Sequence, residues 1–189
     1  MLTNLPYDSV IWDLDGTLAD SMAMWSSLGS SYLAQNGIDA PYVDDIIDSM
    51  TVKEAAQYFA DTFKIKKSAG SIMDEIEALI EEGYAHTIPA IDHSVEMLAM
   101  EYNKGKKMCI LTTSTKHNAD LICRRLGIDK YISDIITADE LGMNKRSGDI
   151  YIETCRILGY DITRTVVVED SEYAIKSAKE AGAIVYCIS

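Results

Sequence analysis

Val10-Ile11-Trp12-Asp13-Leu14-Asp15-Gly16-Thr17 is the stretch on which the fold turns. Three consecutive apolar residues, with Ser9 in front and the turn-forming pair Asp15-Gly16 behind, read as a short buried strand. Asp13 and Asp15, at i and i+2, point to the same side while the chain is extended. The carboxyl end of a buried parallel strand is where open α/β sheets place their ligands. An EF-hand loop does not fit, because its glycine stands sixth and its bidentate Glu twelfth, whereas here Gly16 is fourth and Met24 twelfth. Without other residues around it, the stretch reads equally well as an ordinary Asp-Gly turn.

Beyond it, from Ser21 to about Gly83, the pattern is helical throughout. Ser21 is expected to cap a helix that Asn36-Gly37 ends. Thr51-Val52-Lys53-Glu54 has the spacing of a capping box ahead of a helix over Ala55 to Phe63. Ser71 is expected to cap a third helix running to Glu82, with Gly83 as its stop. After Pro89, helices alternate with strands. The predicted helices run over Asp92–Tyr102, Ala119–Leu126, Ile150–Leu158 and Tyr173–Ala181. The predicted strands run over Met108–Leu111, Asp134–Ile136, Val166–Val168 and Ile184–Ile188. Strands separated by helices of this length imply an α/β fold with a parallel sheet and right-handed crossovers. The helical segment interrupts that sheet after its first strand, so it reads as an inserted cap. The division expected is a core of residues 1–17 plus 89–189 and a helical cap of residues 18–88.

The chain has 189 residues, 48% hydrophobic and 25% charged, enough for one core and a modest insertion. Its 17 Lys plus Arg stand against 30 Asp plus Glu, a net charge of −13. That balance argues against nucleic-acid binding and against a polybasic membrane-surface role, both of which need clustered cations. No apolar run approaches the roughly 18–20 residues that cross a bilayer, and Met1 to Val10 lacks the flank and core of a secretory signal. Cys109, Cys123, Cys155 and Cys187 form no C-x-x-C pair, and His86, His93 and His117 show no metal spacing. Three of the four cysteines sit inside or beside apolar runs, so buried reduced thiols are expected, with a cytoplasmic location and without disulfides or zinc.

Three further groups fall just beyond predicted strand ends. Thr112-Thr113-Ser114-Thr115 follows the second strand, where hydroxyls serve a phosphate oxygen or simply cap the next helix. Lys145-Arg146 lies in a loop before a helix, the usual setting of solvated cations. Glu169-Asp170-Ser171 follows Val166-Val167-Val168, and two acids there are costly unless a cation neutralises them.

In order, D-L-D-G-T-L-A-D-S, then T-T-S, then K, then E-D-S resembles the haloacid dehalogenase superfamily, in the branch of β-phosphoglucomutase and phosphoglycolate phosphatase. The resemblance covers essentially the whole chain, the helical cap included. It implies a Rossmann-like sheet of order 3-2-1-4-5, which gathers Asp13, Thr113 and Asp170 at one crevice. It further implies that Asp13 is the nucleophile that becomes an aspartyl-phosphate and that Asp15 is the general acid/base. A Mg2+ ion would be held by Asp13, the Asp15 backbone carbonyl and Asp170, with Glu169 either a ligand or a neighbour behind the ligands. Thr113 and Lys145 would clamp the phosphate, with Ser114 adding a backbone donor. These roles make physical sense, because a carboxylate attacking a phosphate dianion needs Mg2+ and a Lys to offset repulsion, and Lys145 also helps to keep Asp13 ionised.

The chain departs from the family's pattern in several places. Ser114 replaces a common Asn, and Thr112 leaves a one-residue ambiguity beside Thr113. Lys145 is followed by Arg146-Ser147 instead of proline, Ala174 stands where some relatives carry an acid, and Pro89-Ala90 replaces Pro-Gly. Ser189 follows the last strand directly, so that strand is expected at the sheet edge.

The activity expected is Mg2+-dependent hydrolysis of a small phosphorylated metabolite. One alternative is a β-phosphoglucomutase-type phosphomutase, and another is a non-catalytic acidic metal-binding or scaffold protein. A dehalogenase would not need Asp15, and a catalytically dead relative would be expected to have lost Asp13 or Asp15. Substrate choice is expected to lie in the cap around Met50-Thr51-Val52-Lys53. The cap carries Lys53, Lys64, Lys66 and Lys67, no Arg and 12 acids, which suits release to water better than holding a second phosphate.

Overall fold

Ser9–Trp12 forms β1, four residues buried without exception, at the centre of a five-stranded sheet. The computed structural model describes residues 2–48 and 50–188. Met1, Ser49 and Ser189, and with them both outer ends of the expected core, lie outside the described residues. The other strands are β2 (Lys107–Thr112), β3 (Asp134–Thr137), β4 (Thr165–Glu169) and β5 (Ile184–Cys187). Every neighbouring pair is parallel and the order is β3-β2-β1-β4-β5, the order that the family resemblance implied. Ile11 stands opposite Cys109 on one side and Val167 on the other, so apolar residues line up across the sheet. Strands buried from end to end around an apolar run, as Val166–Val168 within Thr165–Glu169, are what a sheet covered on both faces requires. One buried cluster joins Ile11, Leu111, Ile136 and Val167 to Ile150, Tyr151 and Ala178 from the helices. β5 lies at the edge and is only partly covered.

The chain divides into two compact units, Met1–Asp20 with Ile88–Ser189, and Ser21–Thr87. In the first, the helices are α6 (Ser94–Asn103), α7 (Lys116–Leu126), α8 (Ala138–Leu141), α9 (Asp149–Leu158) and α10 (Glu172–Glu180). Gly127 and Gly159 end α7 and α9 in the left-handed region, at φ 66° in each case. The short α8 is absent from the sequence reading, although Thr137 and Glu140 form the reciprocal bonds of a capping box at its start. The chain leaves and re-enters this unit side by side, with Ala19 bridged to Ala90 and the Asp20 N–H donating to the Pro89 carbonyl at 2.9 Å.

The second unit is helical: α1 (Met22–Trp25), α2 (Leu28–Gln35), α3 (Val43–Ile47), α4 (Val52–Thr62) and α5 (Ala69–Glu82), followed by a π-turn over Gly83–Thr87. Three expectations need correction here. The helix from Ser21 breaks into α1 and α2, because the Ser26 and Ser27 hydroxyls donate back to the Ala23 carbonyl and close the first turn. Ser68, not Ser71, caps α5, with its hydroxyl accepting the Ser71 N–H at 3.2 Å. Gly83 does not stop the helix, and its φ of −57° lets the coil run on into the π-turn. The Thr51–Glu54 capping box forms as expected, and Lys53 is exposed. Tyr32 stacks on Phe59 at 5.9 Å between ring centroids in the interior of this unit. Trp25, at the end of α1, donates its indole N–H to the Tyr84 hydroxyl at 3.3 Å.

Among the described residues, no helix is long and apolar enough to cross a membrane. All four cysteines are free. Burial hides Cys109, Cys123 and Cys155 and pushes the Cys123 thiol up to about 12.

Candidate active site

The strand that opens the sheet also positions its chemistry. Asp13 follows β1 directly, and its N–H donates to the Val168 carbonyl at 3.0 Å, carrying the parallel pairing with β4 one residue further. The chain then curls, with the Leu14 carbonyl accepting the N–H groups of Leu18 and Ala19 at 2.9 and 2.8 Å. Gly16 makes the curl at φ +86°, where a Cβ would stand 2.2 Å from an Asp170 carboxylate oxygen. Conformation and space both require glycine there. Thr17, buried, donates to Asp170 at 3.5 Å. Neither the Gly16 nor the Thr17 contact was foreseen, since only the juxtaposition of the β1 and β4 ends reveals them.

Lys145, in the loop before α9, is 3% exposed, and its ammonium pairs with Asp13 and with Glu169 Oε1, the latter at 2.8 Å. Glu169 is buried too, and its other oxygen accepts the N–H groups of Asp170 and Ser171 at 2.9 Å each. Both Glu169 oxygens thus accept hydrogen bonds, one from Lys145 and the other from the start of the loop after β4. Oxygens of Asp13, Glu169 and Asp170 lie within 4.8 Å of one another. Three acids facing one Lys leave negative charge in surplus, and close, hard oxygen donors suit a divalent cation of the Mg2+ kind. Burial raises the Asp13 carboxyl to about 6, with Glu169 and Asp15 pushing the same way and Lys145 opposing them. For Lys145, burial alone would lower the pKa, but the carboxylates prevail and hold its proton more tightly than in water.

Thr112 and Thr113 separate clearly. Thr112 is buried at the end of β2, and its hydroxyl accepts the Ser114 N–H at 3.0 Å, whereas Thr113 is exposed on the loop. The backbone donor expected of Ser114 is therefore engaged with Thr112. Its hydroxyl instead donates to Asp15 at 2.6 Å, a bond between residues 99 apart that sequence spacing cannot announce. The Asp15 side chain thus sits with Ser114, outside the Asp13–Glu169–Asp170 cluster. Arg146, beside Lys145 in sequence, lies over the Tyr173 ring at 4.4 Å. Ala174 is buried, and its carbonyl accepts the Tyr151 hydroxyl at 3.4 Å, so an acid there would be hidden.

The model of the family described as haloacid dehalogenase-like hydrolase matches residues 10–188. The chain belongs to that family. A relative of this haloacid dehalogenase-like hydrolase, the validoxylamine A 7'-phosphate phosphatase of Streptomyces hygroscopicus subsp. limoneus, is 27% identical over 187 residues, spanning 96% of this chain and 84% of its own length. The phosphorylated carbohydrates phosphatase of Thermotoga maritima is 23% identical, with 93% and 82% spanned. A solved Thermotoga maritima structure described as a beta-phosphoglucomutase has a TM-score of 0.84 at 21% identity, covering 96% of this chain and 85% of its own. The family's β-phosphoglucomutase- and phosphoglycolate-phosphatase-like branch is the one to which these likenesses point.

Proposed function

We propose that the protein, a phosphoric monoester hydrolase of this family, is a Mg2+-dependent phosphatase that acts on a small phosphorylated metabolite through an aspartyl-phosphate on Asp13. The observation that carries the reading is buried Lys145, bound to both Asp13 and Glu169 beside Asp170. A phosphate dianion approaching Asp13 brings negative charge against negative charge, and Lys145 offsets part of that repulsion. An Asp13 oxygen attacks phosphorus while the bond to the ester oxygen breaks, and Asp15 delivers a proton to that departing oxygen. Asp15 then takes a proton from the water that attacks the phosphoryl group, which releases phosphate and restores Asp13. The Ser114 hydroxyl orients the Asp15 carboxyl for both transfers. The Thr113 hydroxyl and Lys145 hold the phosphate oxygens, and the Ser114 N–H joins them only by giving up Thr112.

Asp13, Asp170 and the Asp15 backbone carbonyl are the groups that would hold the metal. A divalent cation supplies positive charge that screens the phosphate from the attacking carboxylate. Release to water, as opposed to return to a sugar hydroxyl, fits the helical unit, which we read as the cap governing substrate choice. It has no Arg, and its Lys67 is committed to Asn36 and Glu75 at 2.9 and 2.7 Å. Three buried free thiols suit a cytoplasmic setting.

The test is a panel of small phosphate esters with Mg2+, scored for free phosphate, beside β-glucose 1-phosphate scored for glucose 6-phosphate. Phosphate release that stops in chelator is expected. Rapid isomerisation with little free phosphate would replace the phosphatase by a mutase, and full activity in chelator would remove the metal.

A further inference from the structure

Lys106, Lys107 and Lys130 gather with Tyr102, Tyr131 and Tyr160 around a groove of about 510 Å³. The groove lies at the amino ends of β2 and β3, where Lys107 and Asp134 are the first strand residues. All the strands are parallel, so this is the edge of the sheet opposite to Asp13, Thr113 and Glu169. Along β2, about 3.3 Å per residue separates Lys107 from Thr112 by roughly 17 Å. The groove is remote from the carboxylate site and belongs wholly to the sheet unit.

Its charge runs against that of the chain. In a protein with 30 acids and 17 Lys plus Arg, three lysines line this groove with one acid, Asp134. Asp134 already faces Lys116 at 3.5 Å, and Asp8, which feels both Lys106 and Lys107, is paired with Arg164. Lys106 donates to the Tyr7 carbonyl and lies 4.2 Å from the Tyr7 centroid, whereas the Lys107 and Lys130 ammonium groups lie over rings of the groove, 6.0 Å from the Tyr160 centroid and 4.9 Å from that of Tyr131. Tyr102 and Tyr131 stand 5.3 Å apart, tilted by 58°, and the Tyr160 hydroxyl meets Ser133 at 3.2 Å. Cationic groups and aromatic faces side by side match an anion attached to a planar ring. The volume falls in the range of roughly 300–1,000 Å³ typical of small-molecule sites, while the net charge of −13 repels long polyanions.

We propose that this groove binds a small phosphorylated ligand carrying a planar aromatic ring, in chemical class a mononucleotide, at a site separate from the hydrolytic one. Lys107 and Lys130 hold the phosphate and the tyrosine rings hold the ring system. The site does not depend on the phosphatase reading.

The full chain, isotope-labelled and held in chelator, is titrated with AMP by backbone NMR, with inorganic phosphate and adenosine as separate arms. AMP is expected to shift the amides of Lys106–Met108 and Lys130–Ser133, and to bind about tenfold more tightly than either fragment. The double variant Lys107→Ala/Lys130→Ala is expected to bind AMP about tenfold more weakly with unchanged Tm and turnover, while Asp13→Asn binds it like the parent. Four outcomes would overturn the site: shifts confined to Asp13–Thr17 and Thr112–Thr115, AMP no tighter than phosphate alone, undiminished affinity in the double variant, or no shifts at all.

Discussion

Glu101 and Glu169 are each 2% exposed, yet the surroundings of these two buried carboxylates differ in one respect that separates scaffold from site. Glu101, on α6, receives the Tyr7 hydroxyl on one oxygen and the Lys104 ammonium on the other, both at 2.6 Å. One acid meets one base and one neutral donor, and the cluster is electrically closed. Glu169 shares Lys145 with Asp13 while Asp170 stands beside them, so three acids face one base. Hidden charge in surplus is costly to the fold. A balanced cluster explains itself as architecture, whereas an unbalanced one awaits something positive.

The largest effect that tests this contrast is on turnover. Asp13→Asn should lower phosphate release by about a thousandfold or more, while circular dichroism shows the fold intact. Ordinary activity in that variant would put the carboxyl-end cluster on the same footing as Glu101. Next comes stability at the other cluster. Glu101→Ala leaves the Tyr7 hydroxyl and Lys104 without their acceptor, and urea unfolding should register a loss of about 2 kcal/mol with kcat unchanged. A matching loss of kcat would mean that the two clusters are not separable.

The smallest effect is a pH dependence in chelator. The native Asp13 carboxyl sits at about 6, above its ordinary value of 3.8, so the folded protein binds this proton more tightly than the unfolded chain. The resulting stabilisation is complete below about 3.8 and is lost as pH rises through about 6. Asp13→Asn removes that dependence, so it should melt above the parent at pH 7–8, with the gap closing towards pH 4. Mg2+ should then raise the Tm of the parent and leave the variant unmoved. A gap that persists at low pH would locate the strain elsewhere.

Much of the molecule is legible in its sequence because local chemistry decides it. The apolar runs at Val10–Trp12 and Val166–Val168 have no other role than buried strands. Gly127 and Gly159 stop helices because the left-handed turn favours them. The order of Asp13, Thr113, Lys145 and Glu169-Asp170 is readable as well, since each follows or precedes a recognisable element. Partnerships across the fold are not. That Ser114 holds Asp15, that Asp170 closes on Gly16 and that Glu169 spends both oxygens on neighbours depend on strand register and on loop shape, which no local pattern encodes. Near misses occurred where two similar residues competed for one task. Ser68 and Ser71 each look like a cap, and only the path of the chain at Ala69-Gly70 decides between them.

One consequence belongs to the crossing at Ala19–Ala90. Because the outgoing and returning strands of chain are hydrogen-bonded to each other there, the insertion is attached at what amounts to a single point. A short bridge from Asp20 to Ile88 would close the sheet unit without stretching it, with Asp13, Asp15, Lys145 and Asp170 all retained. Evolution and the protein engineer thus face the same opportunity. The insertion can be exchanged as a cassette without touching Asp13, Asp15, Lys145 or Asp170.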